Sequence, residues 1–242
     1  MLSSVSPTTS GQLPAWTSIL VVVAHPDDES FGLGAVISDL LARGTAVDVL
    51  CLTRGEASTL HGVAGDLSAL RQMELQEAAD ALGGAGAVLR DHPDGALAAV
   101  PVQVLVDDVL VVARAGAAQA MLVFDLDGVT GHPDHSAASR AAVEAAALLG
   151  IPVLAWVLPE RVAHQLNDEF GASFTGKPAH EIDVVHPVDR TRQRVAIAAH
   201  ASQAVPSSVL WRRLELLGET EHLRWLARAP RPAHASGAVS GR

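Results

Sequence analysis

Val21-Val22-Val23-Ala24-His25-Pro26-Asp27-Asp28-Glu29 sets an apolar run directly against one imidazole and three carboxylates. Ile19 to Ala24 reads as a buried strand of the kind found in parallel sheets. Pro26 has no amide hydrogen to give a sheet ladder, so the strand stops there. His25, Asp27, Asp28 and Glu29 are then expected in the crevice beyond a strand's carboxyl end, where open α/β sheets bind their ligands. Neighbouring carboxylates repel one another unless a cation or proton intervenes. A divalent metal held by His25 and one carboxylate, with the other carboxylate left free, answers that repulsion. The plainer alternative is a solvated acidic turn capping the helix that starts near Ser30.

A second cluster shifts the balance. Gly131-His132-Pro133-Asp134-His135 follows another short apolar run, Ala120 to Phe124, and precedes a helical pattern from Ser136. Both His-Pro-Asp turns end strands on the same side of the expected sheet, so residues far apart in sequence can share one ion. Two histidines and one carboxylate suit a hydrolytic Zn²⁺ site that keeps a position open for water.

Together the two turns resemble the LmbE/PIG-L family of metal-dependent N-deacetylases, and the resemblance runs from about Ile19 to about Gln203. It implies His25, Asp28 and His135 as metal ligands, for Zn²⁺ or for Fe²⁺, which the same donor set suits. Asp27 is implied as general base, and His132 as an imidazolium assisting the oxyanion, with Asp134 orienting its ring; the division of proton transfers between Asp27 and His132 stays open. Arg71 of Arg71-x-x-Glu74, Asp94 of an Asp-Gly turn, Glu56 of a Gly-Glu turn and His200 of Ala198-Ala199-His200-Ala201-Ser202-Gln203 are implied on the substrate side, with His61 a further candidate. The implied function is deacetylation of a small N-acetylated substrate containing N-acetylglucosamine. An amidase of thiol conjugates or of antibiotic acyl groups, and a silent sugar- or metal-binding relative, remain as alternatives. A two-metal phosphoesterase would need about five or six ligands, and the sequence offers three good ones.

Composition bounds the rest. A net charge of −10 argues against nucleic acid as partner. The lone Cys51, within an apolar run, excludes an internal disulfide framework and suits a reducing compartment. No apolar stretch approaches a membrane span, and no signal-peptide pattern opens the chain. A cytoplasmic protein without membrane anchor is expected, with homo-oligomerisation open. Gly32-Leu33-Gly34 lacks the third glycine of a dinucleotide loop.

Strands alternate with helices through the first 160 residues, the pattern of a Rossmann-like, doubly wound, mostly parallel sheet with helices on both faces. Residues 1–16 are expected as a flexible arm, 17–228 as a single α/β domain, and 229–242 as a disordered tail. Ser30 to Arg43 is expected as one helix, and Ser207 to Leu226 holds an expected amphipathic helix packed through Leu210, Trp211, Leu214, Leu217, Leu223, Trp225 and Leu226.

Overall fold

The computed structural model describes residues 12–60 and 66–228, so His61 and the segment 229–242 lie outside the described residues. The chain runs β1 (Ser18–Val23), α1 (Asp28–Phe31), α2 (Gly34–Ala42), β2 (Ala46–Thr53), α3 (Leu67–Leu82), β3 (Gly86–His92), α4 (Val102–Ala115), β4 (Met121–Phe124), α5 (Pro133–Leu149), β5 (Val153–Pro159), α6 (Glu160–Phe170), β6 (Gly176–Lys177), β7 (Val184–Pro187), α7 (Thr191–Ala199), α8 (Val209–Leu217) and β8 (Thr220–Ala227). The strands lie in the order β3-β2-β1-β4-β5-β8-β7, with β6 paired to the end of β5. β3, β2, β1, β4 and β5 are mutually parallel, and β8 runs antiparallel between β5 and β7.

Every residue of β1 is buried, because the sheet is covered on both faces. Ile19, Val21 and Val23 pack with α2, α3 and α7 on one face. Leu20, Val22 and Ala24 pack with α4 and α5 on the other. Ala141, Ala142, Ala145 and Ala146 are fully buried along α5, and their small side chains let that helix lie close to the sheet. The winding reverses between β1 and β4, which opens the ligand crevice of such sheets at the carboxyl ends of those two strands. No helix among the described residues is long and apolar enough to cross a membrane.

Three expectations need correction. The helix over Ser30 to Arg43 is two pieces, α1 and α2, parted at Gly32 and Leu33; the Gly32 backbone lies so close to the Phe124 ring that a Cβ would collide with it. Of the arm expected over 1–16, residues 1–11 lie outside the described residues, and residues 12–16 are packed rather than loose. Leu13 is buried in the core, and Trp16 meets Trp225 edge-on with ring centroids 6.2 Å apart. The helix over Ser207 to Leu226 ends at Leu217, and its second half is strand β8. Leu210, Leu214 and Leu217 keep helical spacing, but beyond Gly218 the period changes to two. Leu223 and Trp225 face one core and Leu226 the other.

Gly218 makes that switch with φ 57° and ψ −134°, a conformation essentially reserved for glycine. A Cβ there would meet nothing within 4 Å. Gly218→Ala should therefore cost about 1–3 kcal/mol through backbone strain alone, measured by urea denaturation. A loss below that of Gly150→Ala, also at positive φ in open space, would show that the turn relaxes freely.

Candidate functional site

Loops following β1, β2, β3 and β4 meet at the crevice. His25 leaves β1, Asp28 opens α1, and His135 lies in the first turn of α5. His25 Nδ1 is 3.3 Å from His135 Nε2, His135 Nε2 is 3.1 Å from Asp28 Oδ1, and His25 Nδ1 is 3.5 Å from Asp28 Oδ2. Donor atoms bound about 2.0–2.2 Å from a tetrahedral Zn²⁺ stand about 3.3–3.6 Å apart; the His25–His135 pair lies at that spacing, the two Asp28 contacts use different oxygens, and ring nitrogens of His25, His132 and His135 also lie within 4.8 Å of one another.

The outer ring nitrogens are held from behind. His135 Nδ1 lies 3.1 Å from the Gly128 carbonyl, which can only accept, and 2.9 Å from Thr130 Oγ1. Nδ1 therefore carries a proton, which leaves Nε2, facing Asp28, as the nitrogen that could bind an ion. His25 Nε2 faces Asp94 Oδ1 at 3.0 Å, off the line of an ideal hydrogen bond, and Asp134 Oδ2 at 3.4 Å. A carboxylate behind a histidine is the usual support of a metal-binding imidazole. The loop that presents Gly128 and Thr130 is held in strain: Val129 has φ 59°, and Asp127 accepts its amide at 2.9 Å. Burial opposes a charge on His25, yet the Asp134, Asp28 and Asp94 carboxylates outweigh it and lift the imidazolium to about 12. Burial likewise opposes ionisation of Asp28, and the charge and hydrogen bond of His135, with His25, still hold it well below the usual carboxylate range.

Asp27 is turned elsewhere. Its φ of 129° is a conformation that non-glycine residues rarely adopt. Oδ2 accepts from the Arg71 guanidinium at 2.8 Å, and the Asp27 amide donates to Glu29 Oε2 at 2.9 Å. Burial raises the Asp27 carboxyl to about 6 against the opposing pull of Arg71. Glu29 is fully buried, with Oε1 2.6 Å from both Ser30 Oγ and His200 Nε2. Burial opposes charge on both members of the Glu29–His200 pair, but their mutual attraction lowers the carboxyl and raises the imidazole.

Several expected roles change. His200 is fully buried against Glu29 and meets no open space, so it is not placed to touch a substrate. Its neighbour Gln203 lines the cleft instead. Asp134 does not orient His132. Its carboxylate accepts from the Gly95 and Leu97 amides at 2.8 and 3.1 Å and faces His25. His132 Nδ1 accepts from the Asp134 amide at 3.2 Å, which leaves Nε2 to carry the ring proton. Burial and the neighbouring charges of His25 and His135 lower the His132 pKa, which favours the neutral ring over the expected imidazolium.

Arg71 borders the cleft but is only 3% exposed; it donates to the carbonyls of Gly55 and Pro26 besides Asp27. Gly55, at φ 65°, gives the guanidinium room that a Cβ would fill. Asp94 lines the cleft with its carboxylate tied to the Ala57 amide at 2.8 Å and facing His25. Glu56 is exposed outside the cleft lining and accepts from the Asp94 amide at 3.0 Å. The open cleft, about 530 Å³, is completed by Phe31, Ser58, Thr59 and Leu60, which carry no motif that marks them in the sequence.

Residues 20–146, just over half of the chain, match the family described as PIG-L: GlcNAc-PI de-N-acetylase. A probable N-acetyl-alpha-D-glucosaminyl L-malate deacetylase 2 of Bacillus anthracis is 26% identical over 230 residues, 88% of this chain and 92% of that relative. A 1D-myo-inositol 2-acetamido-2-deoxy-alpha-D-glucopyranoside deacetylase of Nocardioides sp. is 33% identical over 168 residues, 55% of each chain, so this chain spans about half the length of that relative. Among solved structures, the A40926 pseudoaglycone deacetylase superposes with a TM-score of 0.67 over 90% of this chain and 100% of its own, at 21% identity. The 4-carboxy-2-hydroxymuconate hydratase GalB from Pseudomonas putida does so at 0.65 over 89% and 98%, also at 21% identity. At such identities the superpositions speak for a shared fold alone.

Burial of Arg71 makes a prediction that a peripheral substrate-binding arginine would not satisfy. Arg71→Ala strips two carbonyls and a buried carboxylate of their donor, and should lower stability by about 3–5 kcal/mol. Chemical denaturation checks this; a change of a few tenths, as for an exposed i,i+3 pair, would return Arg71 to the surface of α3.

Proposed function

The chain belongs to the PIG-L family, and we propose that its cleft hydrolyses the N-acetyl amide of a small amino-sugar substrate containing N-acetylglucosamine. The observation that carries this is the approach of His25 Nδ1, His135 Nε2 and the Asp28 carboxylate to one another, each imidazole turning a ring nitrogen inward. These three residues would hold a divalent ion, Zn²⁺ by preference of the donor set, with Fe²⁺ suited to the same ligands. When bound, such an ion supplies a Lewis acid and lowers the pKa of a bound water toward neutrality.

Asp27 acts as the base. One carboxylate oxygen is taken by Arg71, and its raised pKa, near 6, suits a group that takes a proton near neutrality and gives it back. It removes the proton from the water whose oxygen bonds to the amide carbon. It then delivers that proton to the amine nitrogen as the carbon–nitrogen bond breaks, leaving acetate and a primary amine. His132 borders the cleft as a neutral ring with its proton on Nε2 and donates to the developing oxyanion. Asp94 and Asp134 hold His25 in its tautomer from behind.

Arg71 is the one lysine or arginine among the described residues lining the cleft, and it is already paired internally. Ser58, Thr59 and Gln203 offer hydroxyl and amide groups instead. This lining favours a hydroxyl-rich, uncharged substrate over a carboxylate-bearing one. A cytoplasmic enzyme without nucleic-acid partner accords with the net charge and the lone buried Cys51.

Two measurements test the assignment. His135→Ala should lose most of its Zn²⁺ by elemental analysis, and retention of a full equivalent at unchanged affinity would overturn the ligand set. Asp27→Asn should keep the metal while kcat for release of primary amine from N-acetylated sugars falls about 10²–10⁴-fold. Loss of metal would make Asp27 a ligand, and near-normal turnover would place the base elsewhere.

A further inference from the structure

We infer that Glu29 and His200 are positioning residues for the base, acting through the backbone of Asp27; this rests on Asp27 acting as the base proposed above. Asp27 sits at φ 129°, where a non-glycine residue persists only if its surroundings over-determine it. Two groups do so from opposite sides. Arg71 grips the Pro26 carbonyl and the Asp27 carboxylate. Glu29 takes the Asp27 amide at 2.9 Å, so the peptide between Pro26 and Asp27 is held at both its polar ends.

Glu29 reaches that amide only because its other oxygen is anchored, 2.6 Å from both His200 Nε2 and Ser30 Oγ. Glu29 and His200 are both fully buried, and neither borders the cleft. Their sequence separation of 171 residues means that the C-terminal third of the chain reaches back to set the metal turn. A buried ion pair is weak evidence of stabilisation, because desolvation offsets the attraction. A pair spent on holding one strained amide is better explained by the direction it gives the Asp27 side chain. In the relaxed turn Asp27 and Asp28, as neighbours, would both be free to swing toward the ion.

A double-mutant cycle tests this on the metal-loaded enzyme. Glu29→Gln keeps an oxygen for the Asp27 amide and an amide group for Ser30 and a neutral His200, so kcat should stay within a few-fold of the parent. Glu29→Met, similar in size but without an acceptor, should lower kcat about 10–100-fold with KM and bound Zn²⁺ unchanged, the signature of a group felt in the transition state. In the Asp27→Asn background the same Met substitution should lower kcat no further, because the base it positions is already absent. If Glu29→Met does not fold, Glu29→Asp, one methylene too short to reach both His200 and the amide, carries the same cycle.

An undiminished kcat in the folded Met or Asp variant overturns the inference. So does a loss that repeats in full on Asp27→Asn, since Glu29 would then act on the fold or the metal rather than on Asp27. A failure of the base assignment is separable: Asp27→Asn alone would turn over normally, whatever Glu29 does.

Discussion

Five carboxylates crowd the carboxyl ends of β1, β3 and β4, and burial shuts most of their surface off from water. Four are answered from outside the centre. Glu29 has His200 and Ser30, Asp27 has Arg71, Asp134 has two backbone amides, and Asp94 has the Ala57 amide. Asp28 accepts the His25 amide at 2.9 Å, and otherwise its two oxygens face the imidazoles of His25 and His135. Asp28 and the two inward ring nitrogens lie so close that a cation or a proton has to stand between them. The pull of the carboxylates on His25, lifting it to about 12, is that same shortage of positive charge expressed as proton affinity.

The N-terminal half was legible because its signals are local. A run of β-branched residues ended by proline, followed by a second short apolar run with the same His-Pro-Asp chemistry, places two strand ends and the histidines and carboxylates beyond them without any knowledge of the fold's second half. What the sequence hid depends on side-chain direction. Asp134 sits beside His132 in the chain, so a partnership is the natural expectation, but on the first turn of α5 its carboxylate turns to the amides after β3. Arg71 and His200 have residue types that suit a polar ligand, and only their burial shows that they serve Asp27 and Glu29. In β8 the apolar positions at Leu223, Trp225 and Leu226 fit a helix as well as a strand, and the glycine before them decided the matter through its backbone.

The C-terminal third lacked a visible motif beyond residues 198–203, yet its polar groups are spent on α1. That helix has four residues, so its last carbonyls have no helical partners. Gln193 donates to Ser30 O at 3.0 Å, and Arg213 donates to Phe31 O. Gln193 is itself held by Arg190 at 2.7 Å, and Arg190 pairs with Glu221 on β8, whose other oxygen takes the Trp156 indole at 2.7 Å. The antiparallel strand added beside β5 thus supports the turn after β1 through a buried polar chain.

A fold shared with a hydratase asks why this site should cleave an amide rather than add water to a double bond. Both reactions need a water near a base, so the proposed metal ligands and the proposed base Asp27 do not separate them. The difference lies in what must be held and what must leave. A carboxylated diene has to be gripped by cations facing the cleft, and among the described lining residues Arg71 is the only lysine or arginine, with Nη1 and Nη2 committed to Asp27 and two carbonyls. An amine has to be protonated as it departs, which calls for a base whose proton affinity lies close to neutrality. Burial lifts Asp27 into that range while Arg71 keeps it from rising further. With Asp27 as the proposed base, the arginine unavailable for a carboxylate is also the group that tunes it, and both consequences favour the amide.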